Sequence, residues 1–379
     1  MKILESEITK LAGEYRDKVL ELTKELCTIP SPSGNEISKV RFIKVLLDKT
    51  YGGGAVIDEE DNLVYKMKGR NSEKCILISA HTDTVFPENT PLVIRQEGNR
   101  LYCPSILDNS INCAALFYGI GVLKDIGIMP EYDMIFAFNS GEEGTGNLRG
   151  IRKLVKTYGK SLLLVMSLDL GYQEVITRAV GSSRYRVTVK TEGGHSWFAS
   201  DRVNSIAVLA QIISRIYEIP MGNNPKTTYN AGVISGGRSV NTVAPEASLL
   251  LDIRSENNQS LENLKSMIMS IIDEARGQDR TIEVTNIGDR PCGDGKVSPI
   301  VSNIINYVNK KFDMAPEEIA ASTDANIPLS YGIPAFVTGV AVGENAHSMD
   351  EYIEQDSVEK GLEIFFTYLL EIGKGTFLP

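Results

Sequence analysis

Apolar and polar positions along the chain alternate between a helical and an extended period. Helical spacing is found first in the apolar positions Ile8, Leu11, Tyr15, Val19, Leu22 and Leu26. It predicts a helix that ends before Pro30. The short apolar runs CILISA, MIFAFNS and SLLLVMSLDLG are each typical of a buried strand, and INCAALFYGIGVLKDIG between the first two has helical spacing again.

Strands that alternate with helices predict βαβ units, and therefore an α/β domain with a mainly parallel sheet. From about Gly181 the order changes to β-α-β-β-α-β, which is the ferredoxin-like arrangement of an α+β module. After Cys292 the α/β character resumes with a helix near 298–311, a strand in IPAFVTGV and a last helix after His347. We therefore expect an α/β domain in two parts, 1–180 and 291–379, interrupted by a small domain at 181–290.

Composition excludes several classes of protein. The 379 residues carry a formal net charge of -10, the wrong sign for a protein that coats nucleic acid or an anionic membrane. The five cysteines are scattered without CxxC spacing, so neither a disulfide framework nor a thiolate metal site is expected. The N-terminal segment is charged throughout, and no run approaches the length of a membrane span. We expect a cytoplasmic protein without nucleic acid or membrane partners.

Acidic and imidazole side chains follow the predicted strands. His81 ends the first apolar strand, Glu142 and Glu143 follow the second, and Asp169 follows the third. Parallel strands bring their carboxyl ends to one edge of a sheet, so these groups are expected to meet there. Asp83, Asp108 and His347 complete the set. So many carboxylates repel one another unless cations balance them, and imidazole with carboxylate ligands suits two zinc ions, with cobalt or manganese as substitutes.

Each of these residues also has a simpler interpretation. His81 could be a hydrogen-bonded strand-end histidine, and Asp83 a turn former. The sequence GEEG is also typical of a solvated acidic turn, and Asp108 could only cap the helix that follows it. His347 could lie in a surface loop. Taken one by one, the residues do not decide between these alternatives.

Their order along the chain resembles the M20 family of dinuclear metallopeptidases. The shared features are HxD after a strand, an aspartate at a helix start, EE after the next strand, a later aspartate and a late histidine. GEEGTGNLRG, the DNS that contains Asp108, and TDAN resemble the tripeptidase (peptidase T) branch in particular. The resemblance spans nearly the whole chain, including the inserted domain.

The resemblance implies a role for each of these residues. His81, Asp108 and Asp169 would hold one ion, and Asp108, Glu143 and His347 the other, with Asp108 bridging the two. Asp83 would orient His81. Glu142 would be the general base that takes a proton from a metal-activated water.

The resemblance also implies that the two-part α/β domain is the catalytic domain, and that the inserted domain acts as a lid and a dimerisation domain. His195, in TEGGHSW, corresponds to a histidine that stabilises the oxyanion in the partner subunit's active site; otherwise it is a turn histidine. Asn241 and Arg254 would bind a substrate carboxylate or carbonyl, with Arg290 assisting. The GGRS before Asn241 could instead be an anion-binding nest or a plain hairpin turn. The lid is expected to pair with a second copy, which predicts a homodimer.

These inferences predict a dinuclear zinc exopeptidase that hydrolyses short peptides, of the tripeptide or dipeptide aminopeptidase type. An amidohydrolase acting on N-acyl amino acids, or a carboxypeptidase of the same family, is the alternative. A non-catalytic binding protein on the same fold is a lesser alternative, because Glu142 and every expected type of ligand are present.

Overall fold

The computed structural model describes residues 5–293 and 295–379 of the chain. They form two compact units: Ala179–Gly295 is the second unit, and the described residues on both sides of it form the first. The second unit begins two residues before and ends five residues after the range 181–290 expected from the sequence.

The helices and strands follow in chain order. The first unit begins with α1 (Glu5–Cys27), α2 (Ile37–Tyr51), β1 (Val56–Ile57), β2 (Leu63–Met67), β3 (Asn71–His81), β4 (Arg95–Glu97), β5 (Arg100–Tyr102), α3 (Ile111–Asp125), β6 (Tyr132–Asn139), α4 (Arg149–Tyr158), β7 (Leu162–Leu168) and β8 (Glu174–Ala179). The second unit contains β9 (Gly181–Thr191), β10 (Gly194–His195), α5 (Ser205–Ile216), β11 (Gly222–Asn223), β12 (Lys226–Gly236), β13 (Thr242–Val243), β14 (Glu246–Ser255), α6 (Asn258–Glu274) and β15 (Arg280–Arg290). The first unit resumes with α7 (Pro299–Phe312), β16 (Glu317–Ala321), α8 (Asn326–Ser330), β17 (Ala335–Thr338), β18 (Val342–Glu344), β19 (Tyr352–Glu354) and α9 (Ser357–Gly373).

An eight-stranded sheet in the order β1-β2-β6-β3-β7-β17-β8-β16 organises the first unit. Its centre is parallel, because β3 pairs in parallel with β6 and β7, and β7 with β17. The outer pairs β1–β2, β2–β6 and β8–β17 are antiparallel. The expected mainly parallel α/β sheet is therefore confirmed.

The central strands are continuous apolar segments because both faces of this sheet are covered. Along β3, Ile76 and Ile78 face a core shared with α1, α3 and α9, whereas Leu77 faces a second core that includes Leu154 of α4. Burial on both faces removes the polar alternation that an exposed sheet would show.

The second unit has the ferredoxin-like order β9-α5-β12-β14-α6-β15 along the chain, and its sheet is antiparallel in the order β11-β12-β14-β9-β15. One face of the sheet packs on α5 and α6 through a core that includes Val187, Leu209, Leu251 and Ile268. The inserted α+β domain expected from the sequence is confirmed.

One segment corrects the expectation that no stretch reaches the length and apolarity of a membrane span. Ile106–Asp125, which includes α3, passes that test, but 94% of the tested window is buried inside the protein. A core helix covered by α1 and α9 passes the same test on composition alone, because its whole circumference is apolar.

Candidate metal centre

Three parallel strands end at the same edge of the large sheet and bring the predicted residues together. His81 is the last residue of β3 and pairs with Asn139, the last residue of β6. The loop after Asn139 carries Glu142 and Glu143, and Asp169 directly follows β7. The sheet edge therefore positions four of the candidate side chains.

Asp108 lies at the centre of the group, with its two carboxylate oxygens directed to different histidines. Oδ1 is 3.0 Å from Nε2 of His81, and Oδ2 is 3.0 Å from Nε2 of His347. Nε2 of His81 is also 3.5 Å from Oδ1 of Asp169, and Nε2 of His347 is 2.8 Å from Oε1 of Glu143. Asp108 thus joins two half-sites.

Each half-site brings together enough ligand atoms to hold a metal ion. In each of the sets His81, Asp108, Asp169 and Asp108, Glu143, His347, one potential ligand atom per residue lies within 4.8 Å of the others. They are the two sets that the family resemblance implied. A third set of the same kind contains His81, Glu142 and Glu143, which places the Glu142 carboxylate beside the cluster.

Several buried atoms of the cluster lack hydrogen-bond partners, which supports the binding of cations there. Among the described residues, Nε2 of His81, Oδ1 of Asp108 and Oδ1 of Asp169 are buried without a hydrogen-bond partner, although they lie close together. Buried polar atoms normally have hydrogen-bond partners. A cluster of buried polar atoms without partners therefore indicates that an ion binds between them. Nitrogen and carboxylate oxygen are the donors that zinc accepts, so these residues fit a divalent metal.

The electrostatics of the cluster show the same need for positive charge. Burial, and then the charge of Asp108, raise the pKa values of Glu143 and Asp169. Hydrogen bonds to Asp108 and Glu143 raise the pKa of His347 to about 11. Without metal, protons on the histidines balance the carboxylates; a divalent cation would supply that charge and leave the imidazoles neutral as ligands.

His347 differs from the other ligands in its exposure. Its side chain is 52% exposed, whereas those of His81, Asp108, Glu143 and Asp169 are at most 8% exposed. The cluster is therefore closed on the side of the sheet and accessible at His347.

Asp83 has contacts beyond those expected from the sequence. Its carboxylate is 3.6 Å from Nδ1 of His81, too far for a hydrogen bond, and the Asp83 backbone carbonyl lies closer at 3.2 Å. Instead, its two carboxylate oxygens accept the backbone N–H groups of Glu142 and Glu143, each at 2.9 Å. Asp83 therefore positions the GEEG loop directly, and the main chain orients His81.

Glu351 was not predicted, yet it shapes the loop that carries Asp108. Its carboxylate is fully buried and accepts the backbone N–H groups of Ser105, Leu107 and Asp108 at 3.1, 2.8 and 2.9 Å. Three amides directed at one carboxylate fix the backbone of this irregular turn. The only signal in the sequence was the acidic residue four positions after His347, which resembles an ordinary surface charge.

A second buried glutamate holds the GEEG loop from the other side. Oε1 of Glu36 accepts the N–H groups of Gly34 and Gly141, each at 3.0 Å, and Oε2 pairs with the Arg149 guanidinium. Gly150 lies against this loop so closely that a Cβ there would meet Ser140 O at 2.4 Å. The sequence motif GEEGTGNLRG is therefore a packed structural unit.

The remaining predicted residues lie in the second unit. His195 is exposed on β10, which pairs with β13 so that His195 is opposite Thr242, and the Asn241 carbonyl accepts the N–H of Ser196. His195 and Asn241 therefore lie close together at a short antiparallel pairing of two strands that are distant in the sequence. Trp197 and Phe198, next to His195, are 79% and 84% exposed.

Arg254 and Arg290 lie on neighbouring strands of the same sheet. Both pair in register with Ser182 of β9, so all three side chains are on one face. Arg184, two residues along β9, also faces this side, and Asp252 accepts hydrogen bonds from Nε of both Arg184 and Arg254. Burial, and then Arg290, lower the pKa of Arg184, which indicates that the guanidinium groups are close.

Comparison with known proteins identifies peptidase domains in both units. Residues 177–280 match the peptidase dimerisation domain of the M20 type, and residues 62–207 match peptidase family M28. Carboxypeptidase G2 of Pseudomonas sp. (strain RS-16) is 22% identical over 326 residues, covering 83% of this chain and 78% of that protein.

Solved structures share the fold over nearly the whole chain. A tripeptidase from Staphylococcus aureus is 20% identical with a TM-score of 0.75, covering 94% of this chain and 98% of its own. YxeP of Bacillus subtilis, described as a dinuclear metal binding peptidase from the M20 family, is 15% identical with a TM-score of 0.67, covering 95% and 99%. At these identities the similarity establishes the fold.

Proposed function

We propose that the chain is a metal-dependent exopeptidase of the M20 type that hydrolyses short peptides, which is supported by the match of residues 177–280 to the M20-type dimerisation domain. The proposed type is a tripeptide or dipeptide aminopeptidase. The observation that supports it most is Asp108, whose two oxygens each lie 3.0 Å from a different histidine. Such an arrangement is suited to two cations held side by side.

His81, Asp108 and Asp169 would hold one ion, and Asp108, Glu143 and His347 would hold the other. Zinc fits this donor set, with cobalt or manganese as substitutes. When bound, the ions would polarise the substrate carbonyl and activate a water molecule.

Glu142 is the proposed general base. Its backbone N–H is held by Asp83, and its carboxylate lies beside His81 and Glu143 without being needed in either ligand set. It is 5% exposed, so little bulk water competes for its oxygens. The Glu142 carboxylate would accept a proton from the attacking water and return it to the leaving amine.

His195, Asn241, Arg254 and Arg290 are proposed to act on the substrate. An exposed imidazole can donate to a developing oxyanion, and guanidinium groups bind carboxylates through paired hydrogen bonds. We assign His195 to the active site of a partner subunit, so the proposed active form is a homodimer. We also propose a cytoplasmic location, in keeping with five free and buried cysteines.

One observation favours a second candidate, a carboxypeptidase or an amidohydrolase acting on N-acyl amino acids. That observation is the similarity to carboxypeptidase G2. Arg184, Arg254 and Arg290 crowd one face of the small sheet and would suit the free C-terminal carboxylate of either kind of substrate.

Digestion of matched substrates distinguishes the two candidates. Zinc- or cobalt-loaded protein is incubated with tripeptides, their N-acetylated forms and C-terminally amidated forms, while bound metal is quantified in the same sample. The aminopeptidase cleaves free tripeptides and releases the N-terminal residue. Preference for N-acetylated substrates, or release of the C-terminal residue, would replace it with the second candidate.

The Glu142→Gln variant is the control for catalysis. The amide has the same shape but accepts a proton poorly, so we expect kcat to fall by about 100-fold or more with metal content unchanged. Unchanged hydrolysis by this variant with both ions bound would rule out Glu142 as the base and would favour a different proton acceptor.

A further inference from the structure

Asp324 is a buried carboxylate that the metal site does not use. It is 1% exposed, and within the described residues the candidate metal-binding sets do not include it. Oδ2 of Asp324 accepts a hydrogen bond of 2.8 Å from the side-chain amide of Asn139, which is itself fully buried.

Asn139 connects the two strand ends that carry the catalytic groups. It is the last residue of β6 and pairs with His81 at the end of β3. Its backbone carbonyl accepts both the N–H of Thr82 at 2.7 Å and the Thr82 hydroxyl at 2.9 Å. The position of Asn139 therefore sets the register between His81 on one strand and the Glu142 loop on the other.

The turn that carries Asp324 is held by hydrogen bonds among its own residues. Oδ1 of Asn326 accepts the N–H of Thr323 at 2.9 Å, and the Thr323 carbonyl accepts the N–H of Asn326 at 3.0 Å. Oγ1 of Thr323 also accepts the N–H of Ala325 at 3.3 Å. The TDAN segment thus closes on itself and presents the Asp324 side chain in one orientation.

Stability alone does not explain a carboxylate at this place. Oδ1 of Asp324 has no hydrogen-bond partner among the described residues, although burial makes an unpaired carboxylate oxygen costly. An asparagine would accept the same bond from Asn139 with a smaller desolvation cost. Residues that lower stability in this way are found at functional sites.

We propose that Asp324 is a positioning residue of the hydrolase site, which holds Asn139 and thereby fixes the end of β6, with Glu142, against the end of β3, with His81. This inference rests on the proposed function, because the geometry it maintains is that of the general base and the ligands. The hydrogen bond from Asn139 to Asp324 is the contact that carries it.

Exchanging the two side chains tests this contact. In Asn139→Asp, two carboxylates face each other and the hydrogen bond is lost. We expect kcat, and the zinc affinity measured by titration calorimetry, each to fall by about 10- to 100-fold, the range observed for residues that orient metal ligands. In the double variant Asn139→Asp with Asp324→Asn, the amide of residue 324 can donate to the carboxylate of residue 139, so both quantities should recover to within about threefold of wild type.

Asp133→Asn is the matched control. Asp133 is also 1% exposed and lies near the other end of β6, where it accepts hydrogen bonds from the Gly69 N–H and the Ser72 hydroxyl. This variant should unfold at a lower temperature while kcat and zinc affinity stay unchanged. Equal losses of zinc affinity in Asp133→Asn and Asn139→Asp would show a general weakening of β6 and would overturn the proposal.

The double variant decides the remaining outcomes. If it is as impaired as Asn139→Asp alone, the contact does not position the site, and the proposal is wrong. Because zinc affinity is read without any substrate, recovery of affinity supports the positioning role even if the wild-type protein cleaves none of the peptides tested. The absence of peptide cleavage by the wild-type protein would count against the proposed function and not against the positioning role of Asp324.

Discussion

The central residue is Asp108, because it is the one side chain shared by both half-sites. Its Oδ1 is near His81 and its Oδ2 is near His347, and these histidines are 266 positions apart in the sequence. Removing Asp108 therefore has a different consequence from removing a ligand that serves one ion only.

We predict that Asp108→Ala weakens both metal sites, whereas Asp169→Ala weakens only the site of His81. Metal analysis after dialysis should find about one ion per chain in Asp169→Ala and much less than one in Asp108→Ala, since a ligand shared by two ions affects both. Equal metal content in the two variants would contradict a bridging role for Asp108.

The members of the acidic and imidazole cluster could be predicted from the sequence, but their supporting contacts could not. Strand-end placement and residue type identify His81, Glu142 and Asp169, since a parallel sheet gathers them at one edge. The contacts of Asp83 could not be foreseen, because they go to backbone N–H groups of a loop distant in sequence. Backbone partners leave no signature in residue identity.

At the scale of elements, two irregular segments carry most of the chemistry: the turn Ile106–Ser110 and the GEEG loop. Each contains single helical turns, with hydrogen bonds from the Ser110 N–H to the Ser105 carbonyl and from the Gly146 N–H to the Glu143 carbonyl, but neither is part of an α-helix or a strand. Each is held by buried carboxylates from other parts of the chain, Glu351 for the turn and Glu36 with Asp83 for the loop.

We predict that Glu351→Ala lowers the free energy of unfolding by about 3 kcal/mol, because it leaves buried N–H groups unpaired. Zinc affinity should fall as well, since the turn positions Asp108. Denaturant unfolding and zinc titration measure the two effects.

The adjacent Asp350→Ala is the matched control. Asp350 makes an exposed ion pair with Arg95, so its loss should cost less than about 0.5 kcal/mol. A Glu351→Ala variant as stable as Asp350→Ala would contradict the role given to Glu351.

Regular elements were predictable to the extent that their apolar pattern is strong. The helix Ile111–Asp125 and the strands ending at His81, Asn139 and Leu168 follow from apolar runs and spacing. The helix Ile37–Tyr51 and the small antiparallel sheet β18-β19-β5-β4 were not predicted. Strands of three residues are too short to show a period, and their pairing depends on segments about 250 residues apart.

At the scale of the whole molecule, the second unit has an open sheet edge. Residues 228–236 of β12 lie beyond the short partner β11, and Val233 and Ile234 are 53% and 56% exposed there. Exposed apolar edge strands tend to pair with another chain. The edge therefore supports the proposed homodimer, as does the match to a dimerisation domain.

We predict that Ile234→Lys disrupts the dimer, because a buried charge at a strand edge opposes pairing. Light scattering of the purified protein should give the mass of two chains for wild type and of one chain for the variant. Val45→Lys, an equally exposed position on α2, should leave the mass of two chains. A wild-type monomer with full activity would contradict both the dimer and a contribution of His195 to the partner subunit's site.

The proposed chemistry depends most on two cations bound around Asp108. Diffraction from crystals of zinc-loaded protein, recorded at the zinc absorption edge, locates such ions directly. We expect two anomalous peaks about 3.5 Å apart on either side of the Asp108 carboxylate, one contacted by His81 and Asp169 and the other by Glu143 and His347. The absence of peaks from fully loaded crystals, or peaks bound by other side chains, would contradict it.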